Sequence, residues 1–281
     1  DTTVVDTGAA ALALSGDSPD TTLQALIDAG DEAVTRVHEL ALQAKAAGVA
    51  CRAYAETRPL APIPRPRRNI LCLGKNYLEH AQEVAAKMQV SGEAPAKPII
   101  FTKATTAVIG PGDGIPAWQN LTQKLDYEAE LALIIGKGGV NIPAEDAWAH
   151  VFGYTAINDI SARDLQKDHM QWFRAKSLDG FAPKGPCVVH RSAMPAPADI
   201  EVKCFVNGEQ RQAATFDQLI FAVPEIIAVL SSGMSLLPGD IIATGTPAGV
   251  GMGFRPPKYL QPGDEVVVDI TGVGELRNPV V

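Results

Sequence analysis

The run from Asp126 to Asp164 constrains this chain more than any other stretch. DYEAELALIIG and FGYTAINDISARD read as two apolar strands that carry three carboxylates, Glu128, Glu130 and Asp159, at their ends. Successive side chains of a strand face opposite ways, so Glu128, Glu130, Ala132 and Ile134 share one face while Tyr127, Ala129, Leu131 and Leu133 share the other. Both glutamates therefore point the same way, and their face runs on into residues that belong in a core. Two carboxylates roughly 4 Å apart repel by about 4 kcal/mol at an effective dielectric near 20, so a third acid joining them demands protonation or a cation. The pattern predicts a divalent-metal site. No Cys or His falls in the cluster, and an all-oxygen site suits Mg²⁺, Mn²⁺ or Ca²⁺ over Zn²⁺, with Mg²⁺ or Mn²⁺ as the expectation. The plainer alternative is that Glu128 and Glu130 pair with Lys or Arg, and that Asp159 caps the turn before a helix opening at Ser161.

With 281 residues, 46% of them hydrophobic, the chain can bury a large core in one big domain or in one big and one small. No apolar run reaches about 18 residues, and the start, DTTVVDTGAA, has neither the basic region nor the apolar stretch of a signal peptide, which makes a cytoplasmic location the expectation. A formal charge of −8 argues against nucleic acid and anionic membranes as partners. Cys51, Cys72, Cys187 and Cys204 have no metal-ligand spacing and read as buried free thiols.

Residues 1–68 read as a small helical or mixed domain followed by a linker. Asp20 and Asp31 are plausible caps for two helices, the second ending at Gly48. Pro59, Pro62, Pro64 and Pro66, interleaved with Arg58, Arg65, Arg67 and Arg68, then mark a stiff connection. From residue 69 onward NILCLG reads as a strand and KNYLEHAQEVAAKM as a helix. Leu78, Ala81, Ala85 and Met88 fall on its inner side, with His80, Glu83 and Lys87 opposite. The breaker-rich SGEAPAKP after it suggests a mobile lid. The remainder is strand-like, with an Asn207-Gly208 hairpin turn and one helix near PEIIAVLSS. Strands and helices mix without βαβ regularity, so residues 69–281 predict an α+β domain with a large rolled sheet.

Several residues suit chemistry near the metal strands. His80 and Glu83, three apart on a helix, can touch, and a glutamate holding one imidazole nitrogen leaves the other free to take a proton. A solvated surface pair would have the same spacing. Lys176 and Gln166 follow the metal strands closely enough to line one pocket, where a lysine can hold an anionic substrate or a developing enolate; as a loop lysine it would simply be solvated. TGTPAGVG, residues 244–251, places Thr246 in a Gly-rich turn whose N–H groups can cradle a carboxylate, or which is a plain tight turn.

Taken in order, GKNYLEHAQE, FTK, GPGD, DYEAEL, FGYTAINDISARDLQ, AKSLDGFAPKGP, GDIIATGTPAGVG and PGDEVVVDITGVGELRNPV resemble the fumarylacetoacetate hydrolase family across residues 69–281. The resemblance implies a mixed β-roll catalytic domain, usually a homodimer, with Mg²⁺ or Mn²⁺ on Glu128, Glu130 and Asp159. It implies a His80–Glu83 dyad on a lid, with Lys176 as a further catalytic group and Lys75, Asn76, Arg163, Gln166 and Thr246 around a bound 2-oxo acid. Lys75 stands where members often carry Arg or Leu, which bears on substrate preference. The expected reaction is hydrolysis of a C–C bond in a 2,4-dioxo acid such as an acylpyruvate. Oxaloacetate decarboxylation or a related lyase or hydratase activity is the alternative on the same scaffold, and a non-catalytic 2-oxo acid binding protein is the alternative from another class.

Overall fold

The computed structural model describes residues 3–88 and 93–281. The side chains of Lys87 and Met88 and the segment from Gln89 to Gly92, on which part of the inner-face and lid readings rested, lie outside the described residues. The chain forms two compact units, Asp1–Pro59 and Leu60–Val281.

In the first unit a short pairing of β1 (Thr3–Val5) with β2 (Cys51–Ala53) closes around α1 (Thr7–Ser15), α2 (Leu23–Ala29) and α3 (Asp31–Ala47). The cap of α2 is Thr22, whose hydroxyl accepts the Ala25 N–H; Asp20 stands two residues earlier and accepts the Thr22 N–H. Gly30 precedes α3, so Asp31 opens the helix instead of capping it, where its charge still favours the N-terminal dipole. Gly48 ends α3 in the left-handed conformation, as expected.

The second unit starts before residue 69, because the Pro/Arg segment is not a free linker. Ala61 and Ile63 are buried, the Ile63 carbonyl accepts a hydrogen bond from the buried Lys184 at 3.0 Å, and Arg68 clasps Asp240. Burial and two long-range anchors tie this stretch to the domain that follows it.

That domain opens with β3 (Ile70–Gly74), α4 (Leu78–Met88), β4 (Ile99–Lys103) and β5 (Val108–Ile109). Then come β6 (Leu125–Asp126), β7 (Ala129–Ile135), β8 (Val151–Asn158) and β9 (Ser161–Ala162). After α5 (Arg163–Asp168) and α6 (Phe173–Lys176) follow β10 (Ala182–His190), β11 (Glu201–Val206), β12 (Glu209–Thr215), α7 (Val223–Ser231), β13 (Ile241–Ala243), β14 (Glu265–Ile270) and β15 (Gly274–Pro279). Seven strands form a mixed sheet in the order β4-β3-β13-β7-β8-β10-β5, parallel at β3/β13 and β10/β5 and antiparallel elsewhere. A four-stranded antiparallel sheet, β12-β11-β14-β15, packs on β7 and β8. Asn207 and Gly208 both take positive φ in the β11–β12 turn, as the Asn-Gly signal predicts.

Two features of this topology position the site. All seven residues of β7 are buried, as befits a central strand covered on both faces. Antiparallel pairing of β7 with β8 matches Ala129 with Asn158, so residues just before β7 meet residues just after β8; the Asp159 N–H donates to the Glu128 carbonyl at 2.8 Å. β3 and β13 run parallel beside them, bringing Lys75 and the Gly-rich turn to the same end.

Candidate active site

At that end Glu128, Glu130 and Asp159 each offer an oxygen within 4.8 Å of the others, and all three are buried. Lys176 lies between two of them, its Nζ 2.7 Å from Glu128 Oε2 and 2.6 Å from Asp159 Oδ2. Lys103 donates to the other Asp159 oxygen at 2.5 Å and to the Ile160 carbonyl at 3.1 Å. Arg163 meets Glu128 Oε1 at 2.7 Å and Asp126 Oδ2 at 2.8 Å. The pairing alternative therefore holds for Glu128, but Glu130 has no lysine or arginine within salt-bridge distance among the described residues. Glu130 Oε2 instead accepts the Gly245 N–H at 2.7 Å. Asp159 caps no helix, since α5 begins at Arg163 and Ser161 and Ala162 form β9.

Electrostatics separate the acids. Burial alone would raise the Glu128 carboxyl, but Lys176 and Arg163 overcome it and hold the group far below the usual carboxylate range. Burial pushes Glu130 well up, and the charges of Asp159 and Glu128 add to it. For Lys176 burial works against the charge, yet Asp159 and Glu128 prevail and raise it. For Lys103 burial prevails over Asp159 and lowers it. A buried carboxyl flanked by two others, with one N–H as its hydrogen-bond donor, is a place where a hard cation relieves repulsion, and the oxygen-only donor set suits such an ion. The three residues fit a divalent metal.

His80 and Glu83 lie on α4, but on a different face from the one expected. Leu78 is 46% exposed, whereas His80 is 5% exposed and shares the buried face with Ala81, Val84 and Ala85. The inner stripe is rotated because the helix turns its His towards the carboxylates and not towards solvent. His80 Nδ1 is 3.4 Å from Glu83 Oε2, and both Glu83 oxygens accept the Gly249 N–H, at 3.1 and 3.2 Å.

The Gly-rich turn cradles carboxylates, though here they are the chain's own. Gly245 holds Glu130, Gly249 holds Glu83, and the N–H groups of Gly251 and Met252 hold Asp126 at 2.6 and 3.0 Å. The Thr246 hydroxyl donates to the Ala129 carbonyl and accepts from Gln212 Nε2, so it braces β7. Asn76 is likewise spent on structure: its amide donates to the carbonyls of Phe221 and Thr244 and accepts the Phe221 N–H, which leaves no free group for a ligand. Gln166 Oε1 accepts from Arg163 Nη1 at 3.2 Å. Lys75, at φ 55°, reaches the cavity wall.

A cavity of about 30 Å³ remains between these groups, lined by Lys75, His80, Glu128, Glu130, Gln166 and Lys176 on one side and by Leu73, Phe101, Trp172 and Met252 on another. A larger cavity of about 660 Å³ lies within the N-terminal unit, yet it has no metal-competent carboxylate set among the described residues. The candidate catalytic side chains line the smaller one. Sequence reasoning missed Lys103, Asp126, Gln212 and Trp172. Only Lys103 and Asp126 had a signal, since buried acids call for buried cations and Asp126 opens the same acidic run.

This α+β roll gathers three carboxylates, two lysines and a His–Glu pair in and around one small cavity, and its architecture is that of the fumarylacetoacetate hydrolase fold. Residues 69–281 match the fumarylacetoacetate (FAA) hydrolase C-terminal family, and the chain belongs to that family. It is 47% identical over 255 residues to the oxaloacetate tautomerase YisK of Bacillus subtilis, covering 89% of this chain and 83% of the relative. Among solved structures it resembles the fumarylacetoacetate hydrolase EaFAH of Exiguobacterium antarcticum, with a TM-score of 0.71 at 50% identity over 79% of this chain and 77% of that one. It also resembles a 5-carboxymethyl-2-hydroxymuconate delta-isomerase of Mycobacterium smegmatis, with a TM-score of 0.69 at 39% identity over 82% and 84%. Members of this family are enzymes. Among the described residues no helix is long and apolar enough to cross a membrane.

Proposed function

We propose that this chain is a divalent-metal-dependent enzyme of 2-oxo acids that works through an enolate, with enol–keto conversion of oxaloacetate as its first reaction. The observation that carries the reading is a small cavity lined by His80, Glu128, Glu130 and Lys176, with Glu83 behind His80 and Asp159 behind Lys176. The 47% identity to an oxaloacetate tautomerase supports this reaction over others.

Glu128, Glu130 and Asp159 would hold a Mg²⁺ or Mn²⁺ ion, which when bound would supply Lewis-acid stabilisation of a developing negative oxygen. Arg163 lines the same cavity and its Nη2 is buried without a hydrogen-bond partner, which suits it to donate to a substrate carboxylate. The Lys176 ammonium compensates charge on the substrate's 2-oxygen. Glu83 holds His80 Nδ1, so Nε2 is the nitrogen that takes the proton from the enol hydroxyl and returns one to C3. The apolar wall of Leu73, Phe101 and Trp172 excludes water from the exchange.

The same His–Glu pair favours a second reading, C–C hydrolysis of an acylpyruvate. His80 would then deprotonate a water whose oxygen bonds to the distal carbonyl carbon; the C–C bond breaks and the pyruvate enolate takes up a proton. One experiment separates the readings: oxaloacetate and acetylpyruvate are assayed side by side with the metal stripped and then with Mg²⁺ or Mn²⁺ restored. Metal-dependent decay of enol absorbance without CO₂ supports the tautomerase, CO₂ release indicates a decarboxylase, and loss of the dione absorbance with pyruvate release indicates the hydrolase. Binding without turnover on either substrate overturns the enzymatic reading in favour of a 2-oxo acid binding protein.

A further inference from the structure

The Glu83 carboxylate sits where only a glycine leaves room for it. Both of its oxygens accept the Gly249 N–H, and one of them faces His80 Nδ1 at 3.4 Å. A Cβ built on Gly253 would come within 1.9 Å of Glu83 Oε1, 2.3 Å of its Cδ and 2.8 Å of its Cγ, and these are the three nearest atoms. The φ of Gly253 lies outside the left-handed region, so its backbone would accept any residue and the demand for glycine is one of space alone. Gly249 differs. Its φ is 104° and a Cβ there would strike the Arg211 carbonyl at 1.9 Å, so replacing it would damage the fold for unrelated reasons.

We propose that Gly253 is a positioning residue for the acid–base pair: with the Gly249 N–H it forms a seat that fixes the Glu83 carboxylate against His80. The inference rests on the reading of His80 and Glu83 as the proton-transfer pair. Neither chain separation nor residue type announces it, because Gly253 is remote from α4 in sequence and the three atoms nearest an added Cβ all belong to the flexible Glu83 side chain. That last point sets the expected signature. A methyl at Gly253 displaces the carboxylate at little cost to the fold, since Glu83 can swing away, but the imidazole then loses its orienting partner.

The test is Gly253→Ala beside Glu83→Gln and the double variant, assayed on oxaloacetate in the Mg²⁺-loaded protein. Gly253→Ala should lower kcat by about 10-fold or more, within the range of a general acid–base contribution, with KM within about twofold of wild type. Mn²⁺ affinity by calorimetry should be unchanged, because the Gly245–Glu130 contact is untouched. The ¹⁵N resonances of the His80 ring should shift as they do in Glu83→Gln. The double variant should be no slower than Glu83→Gln alone, since both changes remove one interaction. Losses that multiply, or a Gly253→Ala protein as fast as wild type while Glu83→Gln is impaired, overturn the seat. A fully active Glu83→Gln instead overturns the acid–base reading beneath it. Should Gly253→Ala lower the melting temperature, adding Glu83→Ala must restore it, because the clash is with that side chain; a defect that persists also overturns the proposal.

Discussion

Lys184 lies on β10, fully buried, with the Ile63 carbonyl at 3.0 Å as its hydrogen-bond acceptor. Burial alone pushes its ammonium down from 10.5 to about 7. Below pH 7 the lysine is charged in both folded and unfolded chains and the cost of burying it is at its full value. Between pH 7 and 10.5 the unfolded chain binds the extra proton, so stability rises with pH across that window and the cost vanishes above it. At pH 7 the depression corresponds to about 4 kcal/mol, taking 1.36 kcal/mol per unit and half-protonation in the folded state. Lys184→Met keeps the length and removes the charge, but leaves the Ile63 carbonyl without this donor, which costs about 1–3 kcal/mol. The variant should therefore be more stable than wild type by about 1–3 kcal/mol at pH 7. Urea unfolding of both proteins at pH 7, 8.5 and 10 measures this directly, and the advantage should shrink with pH and reverse near pH 10. A difference that stays constant from pH 7 to 10 would refute the argument, because it would mean that the lysine does not change its charge on folding in this range.

Two further predictions address the site. Lys103→Met removes a fully buried cation from Asp159 and should lower stability by about 3–5 kcal/mol while raising Mn²⁺ affinity, because the acid cluster loses a compensating charge; an unchanged affinity in a folded variant would show that Lys103 does not offset the charge of Asp159. His80→Ala should cost about 10²–10⁴ in turnover while still binding Mn²⁺, whereas Glu128→Ala should lose both and strand Lys176 and Arg163 beside a missing acid. Calorimetric titration of each with Mn²⁺, paired with the turnover assay, separates the two roles.

Errors in reading α4 and the Gly-rich turn share one cause. A helix face can be assigned from periodicity only when the residues against it are known, and His80 faces inward onto the cavity that Glu128 also lines. The Gly-rich turn at residues 244–251 reads from sequence as a cradle for a carboxylate or as a plain tight turn, and its N–H groups do bind carboxylates. Which carboxylates it binds depends on chain crossings that bring Glu83, Asp126 and Glu130 to it from three separate elements.

What the sequence by itself determined is local: the two-residue period that turns Glu128 and Glu130 to one side, the Asn207-Gly208 turn, and the helix around His80 and Glu83. The ordered motifs over residues 69–281 extended this to the family. Tertiary structure decided which partners these residues meet. Lys103 comes from an edge strand, Lys176 from a four-residue helix and Asp159 from beyond β8, yet all three converge within hydrogen-bond distance. Burial then raises Glu130, while the charged partners overcome burial to lower Glu128 and to hold Lys176 protonated. Side-chain charge at such a site depends on distances of a few ångströms between segments far apart in the chain, and those distances exist only once the strands have paired.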